Sequence, residues 1–220
     1  MFSEKVIKFL KQLSENNNRE WFNENKATYL ACNKEVENAV VKLVHKINNF
    51  DPSIGNLEPK DSMFRIYRDV RFSHDKSPYK TNMGAVFAQG GRKSTKGCYY
   101  MHIEPNDCFI GGGIYMPETA VLKLLRKEIY YNAEEFKKIL NGKDFKNMFP
   151  SGLGGDKLVK APKDFPADFP DIELLKHKHY FVWHQVADSD LSSKDYLNKV
   201  VEVFKLVKPF NDFLNRAIEG

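Results

Sequence analysis

Two stretches hold most of the chemistry this sequence could perform. In "FRIYRDVRFSHDKSPYKT", residues 64–81, Arg65, Arg68, Arg71, Lys76 and Lys80 are threaded through what begins as an apolar strand pattern. Arginine offers a planar fork to phosphate or carboxylate, and lysine a compact point charge. Alternate residues of a strand share a face. Phe64, Ile66, Arg68, Val70 and Phe72 therefore form one side, and Arg65, Tyr67, Asp69 and Arg71 the other. The first side is apolar except for a guanidinium. A buried, unpaired charge is strongly disfavoured, so Arg68 must meet a carboxylate or border a cavity. In one reading the stretch is a structural ion-pair motif or a solvated basic turn, paired to Asp69 and Asp75. In the other, the face lines a pocket and the loop stiffened by Pro78 brings His74, Lys76, Tyr79 and Lys80 to an anion. Loops leaving strand ends are where binding residues concentrate. The pocket reading takes Arg65, Arg68, Arg71, Lys76, Tyr79 and Lys80 as ligand-binding residues.

The second stretch is "GCYYMHIEPNDCFIGGGIYMP". Period-2 alternation puts Tyr100, His102 and Glu104 on one face and Tyr99, Met101 and Ile103 on the other. A carboxylate two residues from a histidine can orient the imidazole or share a ligand with it, as acid–base chemistry requires. His102 and Glu104 are thus the catalytic pair, if the protein catalyses anything. The plainer reading is a hydrogen-bonded histidine on a half-buried sheet. Gly111, Gly112 and Gly113 weaken a strand unless a backbone or ligand approaches closely, and they do not follow the spacing of a dinucleotide fingerprint. His177 and His179 share a face, but no carboxylate or cysteine beside them completes a metal set. No metal and no cofactor is expected.

These side chains need a scaffold. Val6, Phe9, Leu10 and Leu13 follow helical spacing behind Ser3, which is placed to cap. Asn17 with Glu20 resembles a capping box opening a long second helix, which ends before the Pro- and Gly-containing loop "FDPSIGNLEP". Strands are expected at about 63–69, 82–88, 98–104 and 108–115, joined by turn residues, with a further strand in "HKHYFVWHQVA". Helical period returns in "MPETAVLKLLRKEI", and Asn132 with Glu135 reads as a cap for a short helix after it. Residues 142–170 read as a long irregular loop. Ser192 with Asp195 opens a final helix that Pro209 stops or kinks. Helices, then strands, then helices again give an α+β class. One domain over residues 1–220 is expected, with a mostly antiparallel sheet of about five strands.

Composition narrows the partners. The chain has 220 residues and a net charge of +5. Residues 64–97 alone hold eight basic and two acidic residues, a net +6, so the basicity is local. A local basic excess is a footprint for an anion. No apolar run is long enough for a bilayer, and the charged N-terminal segment reads as a mature helix and not a signal peptide. Cys32, Cys98 and Cys108 are odd in number and lack C-x-x-C spacing, which fits a reducing cytoplasm.

"NNNREWFNENK", "FRIYRDVRFSHDKSPYKTNMGA", "GCYYMHIEP", "FIGGGIYMPE" and "VKPFNDFLN" together resemble a widespread bacterial family of conserved hypothetical proteins, domain of unknown function 2461. The resemblance runs from about residue 3 to residue 218. It implies a single cytoplasmic domain with no established activity. The family's patterned residues fall here on Arg65, Arg68, Asp69, Arg71, Phe72, Lys76, Pro78, Tyr79, Lys80, His102, Glu104 and the three glycines. His184 departs from the family pattern.

Three functions of different class are compatible with these residues. The first is a domain binding a phosphate- or carboxylate-bearing small molecule, with the question of catalysis open. The second is nucleic-acid binding, since Tyr67, Phe72, Tyr79, Phe87, Tyr99 and Tyr100 interleave with the basic window as stacking on single strands requires. The period-2 pattern sends several of these aromatics to the apolar face, and no nucleic-acid motif frames them. The third is a structural or protein-interaction domain with an internal ion-pair network. No membrane partner is expected, and oligomeric state is not legible.

Overall fold

The computed structural model describes residues 2–71 and 74–220. The helices before the sheet are α1 (Glu4–Glu15), α2 (Arg19–Glu24), α3 (Lys26–Asn48) and α4 (Pro59–Ser62). Three strands follow: β1 (Met83–Phe87), β2 (Cys98–Ile103) and β3 (Cys108–Ile114). Then come α5 (Thr119–Tyr131), α6 (Ala133–Asn141), α7 (Lys143–Met148), α8 (Ile172–Leu175), β4 (Tyr180–Val186) and α9 (Tyr196–Glu219). The strands form one open antiparallel sheet in the order β1-β2-β3-β4, so the protein is α+β.

The Cα trace resolves into two compact units. The first comprises residues 1–92, 100–110 and 185–202, and the second 93–99, 111–184 and 203–220. In the first, Val6, Phe9, Leu10 and Leu13 of α1 are buried, as are Val36, Val40, Leu43 and Ile47 of α3. Those spacings give each helix one apolar stripe. Each such side chain, fully buried, contributes about 1.5–3 kcal/mol. In the second unit, Phe136 packs its ring against Phe210 at 5.9 Å and Phe213 at 4.8 Å, with Tyr180 at 6.1 Å.

Local details correct several sequence expectations. Asn18, not Asn17, caps α2, accepting from Trp21 N at 2.9 Å. Asn25 then separates α2 from α3 where one long helix is expected. Neither Ser3 nor Asn132 makes a side-chain cap bond; the Ser3 hydroxyl instead donates to Glu35 Oε1 at 2.7 Å. Residues 142–170 contain α7, and α9 runs through Pro209.

The main correction concerns the expected strand at 63–69, which leaves four strands among the described residues and not five. Only isolated bridges form, Met63 to Ala85 and Tyr67 to Tyr79. Phe64 N donates to Gly84 O, whereas Lys80 N donates to Ile66 O and Arg68 N to Pro78 O. The first side therefore advances two residues while the returning side advances four, so Thr81 and Asn82 bulge out of the pairing. Pro78 has no N–H to extend the ladder. Asn17 secures the returning segment from both sides: its Nδ2 donates to Tyr79 O at 3.0 Å, and its Oδ1 accepts from Tyr79 N at 3.1 Å. The expected face assignment of Phe72 lies outside the described residues.

The three glycines of β3 serve close approach of neighbouring backbone. A Cβ at Gly111 would lie 2.0 Å from Val182 O and one at Gly112 2.3 Å from Cys98 O. Neighbouring strands, not a ligand, fill that space.

Candidate functional site

Period-2 alternation holds on β2. Tyr99, Met101 and Ile103 are buried at 1% exposure or less, and the opposite face presents Tyr100, His102 and Glu104. These three are joined in line. The Tyr100 hydroxyl is 3.0 Å from His102 Nδ1, and His102 Nε2 is 2.9 Å from Glu104 Oε2. As a carboxylate, Glu104 only accepts hydrogen bonds. His102 Nε2 therefore donates to it, and in the neutral ring Nδ1 accepts from the phenol. The second carboxylate oxygen, Oε1, accepts from Thr81 Oγ1 at 2.6 Å. The bulge that disrupts the 64–84 pairing is what frees Thr81 for this bond.

Packing fixes the imidazole plane as well. Phe109 of β3 stacks on His102 with centroids 4.5 Å apart and planes within 16°. The His102 side chain is only 11% exposed. Beside Tyr100, β1 carries Gly84, whose missing Cβ would stand 2.4 Å from the phenol oxygen.

The basic residues divide into two groups. Arg68 pairs with Asp75, its side chain 29% exposed. Arg71 grips Asp69 through two bonds, Nε to Oδ1 at 3.0 Å and a terminal nitrogen to Oδ2 at 2.7 Å. Lys76 Nζ donates to Val70 O at 3.0 Å. These cations are met locally, in the manner of a solvated basic turn. Asp69 is held down to about 2 by its hydrogen bonds from Arg71. Asp75 is also lowered to about 2, chiefly by hydrogen bonds from Ser77 and then by Arg68. Tyr79 sits in an aromatic cluster, stacked on Phe22 at 3.9 Å, and is 4% exposed.

Lys80 belongs to the other group. Its ammonium lies over the Phe64 ring at 5.1 Å from the centroid, and the Arg92 guanidinium approaches the same ring at 5.9 Å. The Phe64 ring in turn meets Tyr100 edge-on at 6.4 Å. Arg92 is anchored by its donation to Lys60 O at 2.6 Å. The Lys80 pKa is pulled down by burial first and then by the charges of Arg65 and Arg92. Among the described residues Lys80 forms no ion pair with a carboxylate, whereas the charge of Arg65 helps to lower the Asp69 pKa.

Sequence reasoning singled out His102 with Glu104 as one pair and Lys80 as a member of a separate basic motif. It missed Thr81, Gly84, Phe109 and the role of Arg92. The last was visible only as one member of the basic window. Among the described residues no group of three or more His, Cys, Asp or Glu side chains could hold a metal ion, and no helix is long and apolar enough to cross a membrane. His179 Nδ1 accepts from Met116 N at 2.9 Å, and His184 Nδ1 faces Met148 O at 3.2 Å.

Fold and site together describe an α+β protein whose antiparallel meander carries a polar relay next to a cationic cluster. The chain matches the family of conserved hypothetical proteins DUF2461 over residues 5–213, and belongs to that family. No curated protein and no solved structure matches it.

Proposed function

We propose that this protein binds a small molecule bearing phosphate or carboxylate at the cationic cluster of Arg65, Lys80 and Arg92, beside the His102–Glu104 pair. One observation carries the reading: Lys80 and Arg92 gather on the Phe64 ring with the charge of Arg65 close by, while no described carboxylate forms an ion pair with Lys80. Like charges held together repel, and an anion bound there relieves that repulsion. Weight shifts away from Arg68, Arg71 and Lys76, which already have local partners. Tyr79 contributes by packing.

The nucleic-acid alternative loses support from burial. Tyr79, Phe87 and Tyr99 are 4% exposed or less, so half of the aromatics that interleave with the basic window present no face for stacking. The structural-network alternative accounts for Arg68 and Arg71 but not for Lys80. We read the protein as acting as one cytoplasmic domain; the free Cys32, Cys98 and Cys108 fit a reducing compartment.

The test is a thermal-shift series with phosphate, pyrophosphate, nucleotides and small di- and tricarboxylates at matched ionic strength. A ligand at a hundredfold excess over its dissociation constant stabilises the folded state by about 2.7 kcal/mol. Lys80→Ala and Arg92→Ala should blunt the response, whereas Lys199→Ala should not. If no anion exceeds chloride at equal ionic strength, the reading fails.

A further inference from the structure

Tyr100, His102 and Glu104 reproduce the logic of an activated nucleophile: a hydroxyl within hydrogen-bond reach of a base, and the base oriented by a third group. The two bonds are 3.0 and 2.9 Å, inside the range of about 2.6–3.2 Å that such a relay requires. Each member is held from outside the relay. Thr81 fixes Glu104 at 2.6 Å. Phe109 fixes the imidazole plane. Gly84 leaves the space through which the phenol oxygen reaches Nδ1, since a Cβ there would stand 2.4 Å from it. A glycine in a strand is unfavourable for the backbone, and here it is matched to one oxygen atom.

We propose that Tyr100 is the nucleophile of this site, with His102 as its base and Glu104 as the residue that positions the base, acting on a phosphate ester. The choice of a phosphate ester rests on the anion reading above; the activated phenol does not. In the first step Tyr100 Oη attacks phosphorus while its proton passes to His102 Nδ1. The bond from phosphorus to the leaving oxygen, in line with Oη, breaks, and its electron pair departs with that oxygen, which takes a proton from solvent water. An alcohol leaves and phosphate remains on Tyr100. Water then attacks phosphorus from the side opposite Oη and loses its proton to the solvent. The bond to Oη breaks, the phenolate regains the proton held on His102, and inorganic phosphate is released. Glu104 stabilises the transient imidazolium, as the carboxylate of a Ser-His-Asp triad does. Lys80, Arg65 and Arg92 supply positive charge for the phosphoryl oxygens.

An alkyl fluorophosphonate tests the first step directly. Its phosphorus bonds to Oη, fluoride leaves with the electron pair of the broken bond, and the proton goes to His102. The native protein is treated, and the modified tyrosines are located and timed by peptide mass spectrometry. Tyr115 and Tyr131, 65% and 69% exposed, are internal references. The expected result is modification of Tyr100 at least about tenfold faster than either, because positioned general-base assistance contributes about 10²–10⁴-fold in a full site. His102→Asn and Glu104→Gln should remove that advantage. Thr81→Val, which keeps all three relay residues, should reduce it by a smaller factor, and a thermal melt of each variant confirms folding. Modification of Tyr100 no faster than Tyr115 and Tyr131 overturns the proposal. Fast modification that phosphate and pyrophosphate do not slow overturns the phosphate ester and leaves the nucleophile standing. A phosphate-induced thermal shift with slow modification of Tyr100 overturns the nucleophile and leaves the anion reading standing.

Discussion

Gly84→Ala pits a backbone preference against a steric conflict, and the structure gives both sides. Alanine is favoured over glycine inside a strand by about 0.5–1 kcal/mol. Gly84 has no left-handed backbone geometry to preserve. Backbone entropy alone therefore makes the substitution stabilising. Against this, the new Cβ would lie 2.4 Å from Tyr100 Oη and 3.1 Å from Cζ. The phenol must move, and its hydroxyl is bonded to His102 Nδ1 at 3.0 Å. Losing the bond costs about 1 kcal/mol, and leaving a buried nitrogen unsatisfied raises the cost to about 1–3 kcal/mol. The conflict wins, with an expected net loss of about 0.5–2 kcal/mol.

Tyr100→Phe removes the conflicting atom. In that background the nearest neighbours of the Cβ are ring carbons at 3.1 and 3.2 Å, which small shifts can relieve. Gly84→Ala should then be neutral or stabilise by up to about 1 kcal/mol. Urea unfolding of the wild type, both single variants and the double variant measures this as a coupling of about 0.5–3 kcal/mol. Additivity within about 0.3–0.5 kcal/mol would refute the placement of the phenol oxygen, and the relay through His102 with it.

Three further outcomes are expected. Arg68→Met breaks a partly exposed pair with Asp75 and should cost about 0.2–1 kcal/mol in thermal unfolding; a loss of about 3 kcal/mol or more would mean the pair behaves as buried. Asp75 has a folded-state pKa lowered to about 2, against about 3.9 when unfolded. Its contribution is present above the unfolded value and is lost as pH falls through the folded one, so the wild-type advantage over Asp75→Asn should shrink between about pH 4 and pH 2. Urea midpoints across that range decide it, and an advantage unchanged down to pH 2 contradicts the assignment. Burial raises the Cys32 thiol to about 11 and the Cys98 and Cys108 thiols to about 12. A disulfide reagent at pH 8 should react slowly with the native protein and promptly in denaturant, whereas rapid native reaction would count against those environments.

Spacing along the chain was enough to specify the local elements. The apolar stripe of α1 is written in Val6, Phe9, Leu10 and Leu13, all buried at 1% exposure or less. The alternation of β2 is written in residues 99–104, which fixed Tyr100, His102 and Glu104 on a common face before any fold was known. Both patterns repeat within a few residues, and the backbone geometry that turns them into faces is the same in every helix or strand. The α+β class follows from the order of such elements.

Only the tertiary structure decided which charges are met and which are not. Arg71 takes the acid nearest it in sequence, Asp69, while Arg68 passes over its neighbour Asp69 for Asp75 seven residues on, and Lys80 is carried to Phe64 and Arg92 by the bulge at residues 81 and 82. That bulge is a mismatch between two returning segments. It has no signature in either segment alone, because register is a property of the pair. The same holds for Thr81 and Glu104, 23 residues apart, and for Gly84, whose need to be glycine exists only because Tyr100 lies across from it. A residue type and a period fix which way a side chain points. What it meets there is set by chain closure over long separations, and that closure is supplied by the whole fold.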